Sequence, residues 1–279
     1  MKRRLDARRV LLPALLYSAL VAVGVLVIFP IWYAVVTSFL SDPEVAVYPP
    51  KLVPTSLNPD NYRRALEQAP LLRYLLNSAV QSGIVTLSHL LLGSLAAYAF
   101  SFLAFRGKNL LFLIFLSTMM IPWEATIIPN YLTVRALRWT DTFQGLTAPY
   151  LATAFGTFLL RQFFMTIPKD LHDAATIDGC SDLRFLTTVV VPLARPALGT
   201  LAVYSFLQTY NQYLWPLLVT NHKNMRTVQI GIALLQDEER LAFNVIMAGV
   251  VIILLPTFAL FILGNRQLIR GLTAGAIKG

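Results

Sequence analysis

Cysteine is nearly absent: Cys180 stands alone in 279 residues, so no internal disulfide can close and the fold must rest on helix packing. Charge is scarce too, with 13% Asp, Glu, Lys and Arg against 56% hydrophobic residues and a mean hydropathy of +0.62. That balance is too apolar for an ordinary water-soluble domain and makes lipid the natural solvent. Three scattered histidines and one cysteine offer no metal-ligand spacing, and no nucleophile sits beside a base, which speaks against a membrane enzyme. No Gly-Lys-Ser phosphate loop is present, so the chain is expected to bind no cofactor of its own. An ion-coupled secondary transporter is the alternative reading, yet it should show embedded coupling carboxylates and often a repeat. Here Glu124 stands alone and no convincing repeat is found. The net charge of +9 could suit nucleic acid, but the basic residues lie in short segments between apolar runs instead of on one face.

Long apolar runs are what the chain has in abundance. Six are long enough for about 30 Å of hydrocarbon: Val10 to Val36, Leu75 to Leu103, Leu110 to Ile128, Phe143 to Leu160, Ala197 to Thr220 and Leu241 to Gly264. The expected fold is an all-α integral membrane protein with six transmembrane helices. Lys2, Arg3, Arg4, Arg8 and Arg9 precede the first run like a secretory signal, but its length favours an uncleaved span. With a cytoplasmic N-terminus, 14 of the 23 Lys and Arg fall inside, as the positive-inside rule demands. Both termini and the loop between the fourth and fifth runs are then cytoplasmic.

The first outer loop, Ser41 to Pro70, carries six prolines and is expected to be extended, with a short helix near Asn61 to Gln68. Gly93, Ala97 and Ser101 recur at i, i+4 spacing, which lets another backbone come close. His89, in the same run, is expected to be hydrogen-bonded within the bundle. In Met119-Met120-Ile121-Pro122-Trp123-Glu124-Ala125 and Pro129, two prolines interrupt a helix around one acid. Two readings stay open for Glu124: a pathway residue, or a carboxylate at the membrane interface.

The fourth run leads into a polar interruption with its own start and stop. Thr166 is the expected N-cap and Pro168 suits a first turn; Lys169 to Asp178 forms a helix and Gly179 ends it in a left-handed conformation. Ser181 caps a second helix running to Val191, where Pro192 and Pro196 break it. Ala174 and Ala175 leave one helix side bare, which lets a partner surface approach. Asp178 opposes the helix dipole and is expected to accept bonds from amides 181–183, clamping the two short helices.

The fifth run carries Gln208, Tyr210, Asn211, Gln212, Tyr213 and Trp215, closed by Pro216. Amides pair with hydroxyls and flat rings cover the apolar faces of a polyol, so Tyr210, Asn211, Tyr213 and Trp215 are candidate solute contacts. Trp215 and Tyr213 equally fit an interfacial aromatic belt.

The order Asp173-Ala174-Ala175, Asp178-Gly179, Phe185, Val191-Pro192-Leu193, Pro196 resembles the Glu-Ala-Ala...Gly loop of bacterial ABC importer permeases, in the version of the MalG-type carbohydrate permeases. Asp173 stands where that family usually has Glu, one methylene shorter with the same charge. Arg161-Gln162-Phe163-Phe164-Met165 and Asn211-Gln212-Tyr213-Leu214-Trp215-Pro216-Leu217 look most like the glycerol-3-phosphate permease branch, although the span interiors hold no Lys or Arg to meet a phosphate.

The resemblance implies the type I importer fold in a bacterial inner membrane. A coupling helix in loop 166–196 then uses Asp173, Ala174, Ala175, Asp178 and Gly179. It also implies a second homologous permease subunit, two copies of an ATPase subunit carrying ATP and Mg, and an extracytoplasmic solute-binding protein. The chain then divides into 1–70, a transmembrane domain 71–264 and a tail 265–279. That tail, Gly271 to Gly279, resembles one that reaches toward the ATPase dimer; in the same family the loop Asn221 to Arg240 approaches the binding protein. The solute, sugar or glycerol phosphate ester, stays open.

Overall fold

The computed structural model describes residues 7–237 and 243–273, with side chains described for 12–235 and 243–262. Lys2, Arg3 and Arg4, the acidic stretch Glu238-Glu239 with Arg240, and the last six residues of the tail lie outside the described residues. Everything regular among the described residues is helical. Two compact units can be separated, one within Met1–Ala69 and Leu234–Leu254, the other within Pro70–Ala233 and Leu255–Gly279.

In the first unit, α1 (Ala7–Ser38) contains Pro13 and Pro30 without ending at either. Its exposed Leu, Val and Ile side chains over 12–29 suit lipid, not water. Loop 41–70 then folds back through α2 (Asp42–Val45) and α3 (Asp60–Gln68). Asn61, fully buried, donates to the carbonyls of Ser38 at 2.9 Å and Leu40 at 2.8 Å. Asn244, also fully buried, donates to Leu40 O at 2.8 Å and to Asp42 Oδ1 at 2.9 Å. These bonds satisfy carbonyls that the end of α1 leaves free. Glu44 gathers the Ser41 amide at 3.0 Å, the Thr55 amide at 3.2 Å and Lys51 Nζ at 2.9 Å. The Ser41 amide first, then the remaining donors, hold its carboxyl well below the usual range. The proline-rich loop is thus ordered by side-chain hydrogen bonds around one helix of the expected position.

In the second unit, α4 (Leu71–Ser101) is the central helix. The third apolar run is two helices, α5 (Lys108–Ser117) and α6 (Trp123–Ala136), bent by 92°. Pro122 forces Ile121 into an extended conformation, ψ 115°, and this breaks the helix. Pro129, by contrast, stays inside α6 without ending it. The fourth run, expected as one helix, is also split, into α7 (Phe143–Thr147) and α8 (Ala154–Phe164), where Thr142 and Thr153 accept from the amides of Gly145 and Gly156 as N-caps. After α8 come α9 (Lys169–Ile177), α10 (Asp182–Phe185), a π-helical turn Leu186–Val190, and α11 (Val191–Leu193). Pro192 has no N–H to give the carbonyl four residues back, and Thr188 Oγ1 bonds to Arg184 O at 2.6 Å, so the turn widens. A bend of 82° separates this stretch from α12 (Arg195–Tyr210).

The fifth run breaks again at 211–213 before α13 (Leu214–Val219), because Pro216 cannot continue the ladder. The helix α14 (Val228–Asp237) follows, and α15 (Phe243–Thr273) continues past 264. Among the described residues three helices are long and apolar enough to cross a membrane, Leu12–Ser38, Leu71–Ser101 and Phe243–Ile262, or up to five if each bent pair is one span.

Helix α4 packs on α8 and α12. A Cβ on Gly93 would sit 3.5 Å from Leu160 Cδ1 and 3.7 Å from the Gly156 backbone, ordinary contact distances, so α8 lies against this position but an alanine would also fit there. Ala97 and Leu160 are fully buried in the same cluster, with Tyr98, Phe164, Phe185, Val190 and Leu201.

Candidate functional site

Two groups of residues draw attention. The first is the polar interruption 166–196. Its helix α9 starts at Lys169 with Pro168 at the N-cap position, ψ 133°. Thr166 is therefore not the cap; its hydroxyl donates to Phe163 O at 2.7 Å and finishes the turn before. At the other end Gly179 has φ +76°, its amide donates to Thr176 O at 3.0 Å and the Cys180 amide to Ala175 O at 2.9 Å. This paired 5→2 and 6→1 pattern requires a left-handed residue, the conformation expected for Gly179.

The bare alanine face divides in two. Ala174 is exposed, whereas Ala175 is half-buried and packs against the core cluster that holds Phe164 and Phe185. Consecutive helical positions lie about 100° apart, so they cannot share one direction. The exposed stripe of α9 is instead Leu171, Ala174 and Ile177, the last 86% exposed, flanked by the exposed carboxylates of Asp173 and Asp178.

Nor does Asp178 clamp the two short helices, for its carboxylate makes no hydrogen bond among the described residues. Asp182, in the first turn of α10, does so instead: Tyr98 Oη donates to its Oδ1 at 2.7 Å, and His172 Nε2 lies 3.6 Å away. His172 is stacked on Phe102 at 5.4 Å and meets the edge of Phe185 at 5.1 Å. This joint was missed in the sequence because it needs α4, 84 residues upstream of Asp182.

The second group is a cavity of about 950 Å³ in the same unit. Asn211, Tyr213 and Trp215 are among its lining residues, together with His89, Asn130, Tyr204, Ser205, Gln208 and Gln212. Tyr210 is not among them; it is 2% exposed and stacked on Phe206. Glu124, exposed in the first turn of α6, does not line it either, although Trp123 and Thr126 do.

Trp215 is 1% exposed, and its indole N–H donates to the carbonyls of Gly145 and Leu146, each at 3.2 Å. Its edge meets Tyr150. The indole is therefore a fixed wall, not an interfacial belt residue. His89 Nε2 faces Tyr150 O at 2.7 Å and Nδ1 faces Ser205 Oγ at 2.8 Å. Since a carbonyl only accepts, Nε2 carries a proton; in the neutral ring Nδ1 then accepts from the hydroxyl. Gln208 donates to Tyr204 Oη at 3.0 Å, Gln81 to Gln212 Oε1 at 3.0 Å, and Gln229 to Asn211 Oδ1 at 3.2 Å. Among the described residues lining this cavity there is no Lys, Arg, Asp or Glu.

Among the described residues, all-helical structure with membrane-length helices, a cavity that mixes apolar walls and rings with amides and hydroxyls but no charge, and a capped helical loop rooted in the core fit the class of membrane transport subunits. The model of the family described as "Binding-protein-dependent transport system inner membrane component" matches residues 89–270, and the chain belongs to that family. It is similar to the "sn-glycerol-3-phosphate transport system permease protein UgpE" of Rhizobium meliloti (strain 1021), 35% identical over 257 residues, 89% of this chain and 91% of that one. To the protein of the same name from Yersinia enterocolitica it is 36% identical over 259 residues, 90% of this chain and 92% of the relative. A solved structure, "Crystal structure of a bacterial ABC transporter involved in the import of the acidic polysaccharide alginate", has a chain that matches with TM-score 0.83 at 22% identity, over 95% of this chain and 99% of that one. The chain is an inner membrane permease component of a binding-protein-dependent transport system, with the fold that this structural likeness shows.

Proposed function

We propose that the chain forms half of the translocation pathway of an ATP-driven importer and is driven through α9. In this reading it crosses a bacterial inner membrane six times with both termini cytoplasmic. The split α7–α8 makes the crossing beyond the five that length and composition support. Its partners are a second, homologous permease subunit, two copies of an ATPase subunit that carry ATP and Mg, and an extracytoplasmic binding protein. The organisation 1–70, 71–264 and 265–279, with coupling loop 166–196, belongs to the same proposal.

The observation that carries it is the build of the loop. The outward stripe of Leu171, Ala174 and Ile177, with Asp173 and Asp178 beside it, is exposed, while Phe185, Leu186 and Val190 behind it are buried against α4 and α8. A push on such a helix is passed to packed spans, since close-packed cores shift as rigid pieces between discrete arrangements.

The solute is a hydroxylated molecule of the sugar or glycerol-3-phosphate kind. Amides, hydroxyls and rings on one cavity wall support that class, as do the names of the relatives. Asn211, Tyr213 and Gln208 contact its hydroxyls, and a phosphate, where present, meets its counter-charge on another subunit. Tyr210 supports that wall from behind, and Glu124 stands at its approach. The test is uptake into proteoliposomes holding the co-purified complex. Uptake requiring ATP is expected; accumulation driven by an ion gradient without ATP would sink the proposal.

A further inference from the structure

A second, smaller cavity of about 370 Å³ lies where α4 ends and α5 begins, with α9 closing it. Ser101, Phe105, Lys108, Lys169, His172 and Asp173 are among its lining residues. Lys108 Nζ donates to Ser101 O at 3.1 Å and Leu103 O at 2.9 Å, so it caps the negative end of α4 and keeps one N–H free. Lys169 is exposed and has no hydrogen bond or ion pair among the described residues. Lys108 also feels the positive charges of Arg161 and Lys169, which places three cations around the end of one helix. The buried Ser101 Oγ lacks a hydrogen-bond partner among the described residues. Asp173 is the one carboxylate on the lining. Lys108 and Lys169 outnumber Asp173 on the lining, so the pocket carries an excess of positive charge that attracts an anion.

We infer that this pocket holds the phosphate of an anionic phospholipid headgroup. The lipid source follows from what adjoins it. The helix α5, starting at Lys108, exposes Leu110, Leu111, Leu113 and Ile114, each more than half exposed, and Phe105 is 40% exposed on the preceding turn. Acyl chains lie along these side chains while the ammonium groups reach the phosphate, as basic pockets between spans do at a membrane boundary. The inference rests on the reading that the turn 102–107 lies at that boundary. It places a lipid at the root of α9, against Asp173.

The test is native mass spectrometry of the complete transporter in detergent, with phosphatidylglycerol, phosphatidylcholine or inorganic phosphate added. Wild type is expected to retain phosphatidylglycerol in preference to phosphatidylcholine, and Lys169→Gln to retain it about fivefold less. Lys169 caps no helix, so this variant leaves the fold intact; Lys108→Gln, which removes a cap, is the second variant and is expected to show a comparable loss. Equal retention of the two lipids, or retention unchanged in Lys169→Gln, overturns the proposal. Displacement of the lipid by inorganic phosphate assigns the pocket to a free anion and overturns the lipid source. Labelling of Leu113 and Ile114 by a lipid-soluble photoreagent tests the membrane placement separately. Lack of label there overturns that placement and leaves the phosphate chemistry to be judged by the first experiment.

Discussion

The phenolic hydroxyl of Tyr98 donates to the carboxylate of Asp182 at 2.7 Å, joining the last turn of α4 to the second short helix of the loop. Tyr98 is 4% exposed and the Asp182 side chain 59%, so one end of the bond is fixed and the other wet.

Tyr98→Phe keeps the ring packing against Phe102 and Phe185 and removes only this bond. A solvent-facing carboxylate limits the cost to about 1 kcal/mol. Amides of 182–193 are expected to exchange roughly fivefold faster in hydrogen-exchange mass spectrometry, with membrane insertion unchanged. Exchange equal to wild type would show that the bond does not hold the loop.

Gly179→Ala meets no atom within 4 Å of the added Cβ, so its cost is the φ of +76° alone, about 1 kcal/mol. Gly179→Pro cannot adopt that angle and also loses the amide bonded to Thr176 O. Gly179→Pro and Ala174→Arg are both expected to insert in the membrane and to fail to co-purify the ATPase subunit. Retention of that subunit by both variants counts against docking through α9. Ala175→Arg differs, because it strikes the core and should lower folded yield.

Three glycines should rank by what surrounds them. At Gly145 an added Cβ collides with the Trp139 carbonyl, and at Gly156 it lies 2.7 Å from Thr153 Cγ2 and 3.1 Å from Leu201 Cδ1. At Gly93 the nearest atom is an ordinary 3.5 Å away. Gly145→Ala should cost about 3 kcal/mol, Gly156→Ala about 1–2, and Gly93→Ala nearly nothing, since alanine favours the helix. Thermal unfolding in detergent reads this order.

Acid should loosen loop 41–70. Asn244 first and then Arg64 hold the Asp42 carboxyl below its usual 3.8, and the donors around Glu44 hold that group further below its usual 4.5. A carboxyl lowered in the folded state stabilises above its unfolded value, and that stability fades as pH falls toward the folded one. Proteolysis of 41–70 should therefore accelerate below about pH 4.5. Glu44→Gln should show faster cleavage already at pH 7 and a flatter response to acid. An unchanged pH profile in that variant would exclude Glu44 as the source.

Much of the helical plan was legible in the sequence, because its signals are local. Gly179 needs only its own φ, and Ile121 is pushed out of the helix by the proline that follows it. Apolar length marked the helices starting at Ala7 and Leu71 to within a few residues. The splits within 143–164 and 195–219 were less legible, because an apolar run looks continuous while single threonine caps and Pro216 interrupt it. Asp178 looked like the clamp because it adjoins the turn, whereas the clamp is set by which carboxylate reaches Tyr98.

What the sequence determined by itself was the solvent, the helical class, the turn at Gly179 and the family to which the 166–196 motif pointed. All of these rest on composition or on residues within a turn or two of one another. Only the tertiary structure decided that Trp215 spends its N–H on Gly145 and Leu146, 70 and 69 positions away, that Tyr210 lies behind the cavity wall, and that His89 meets Ser205 across 116 residues. Those partnerships depend on the angles at which packed helices cross and bend, and on small residues such as Gly156, where an added Cβ would crowd Leu201.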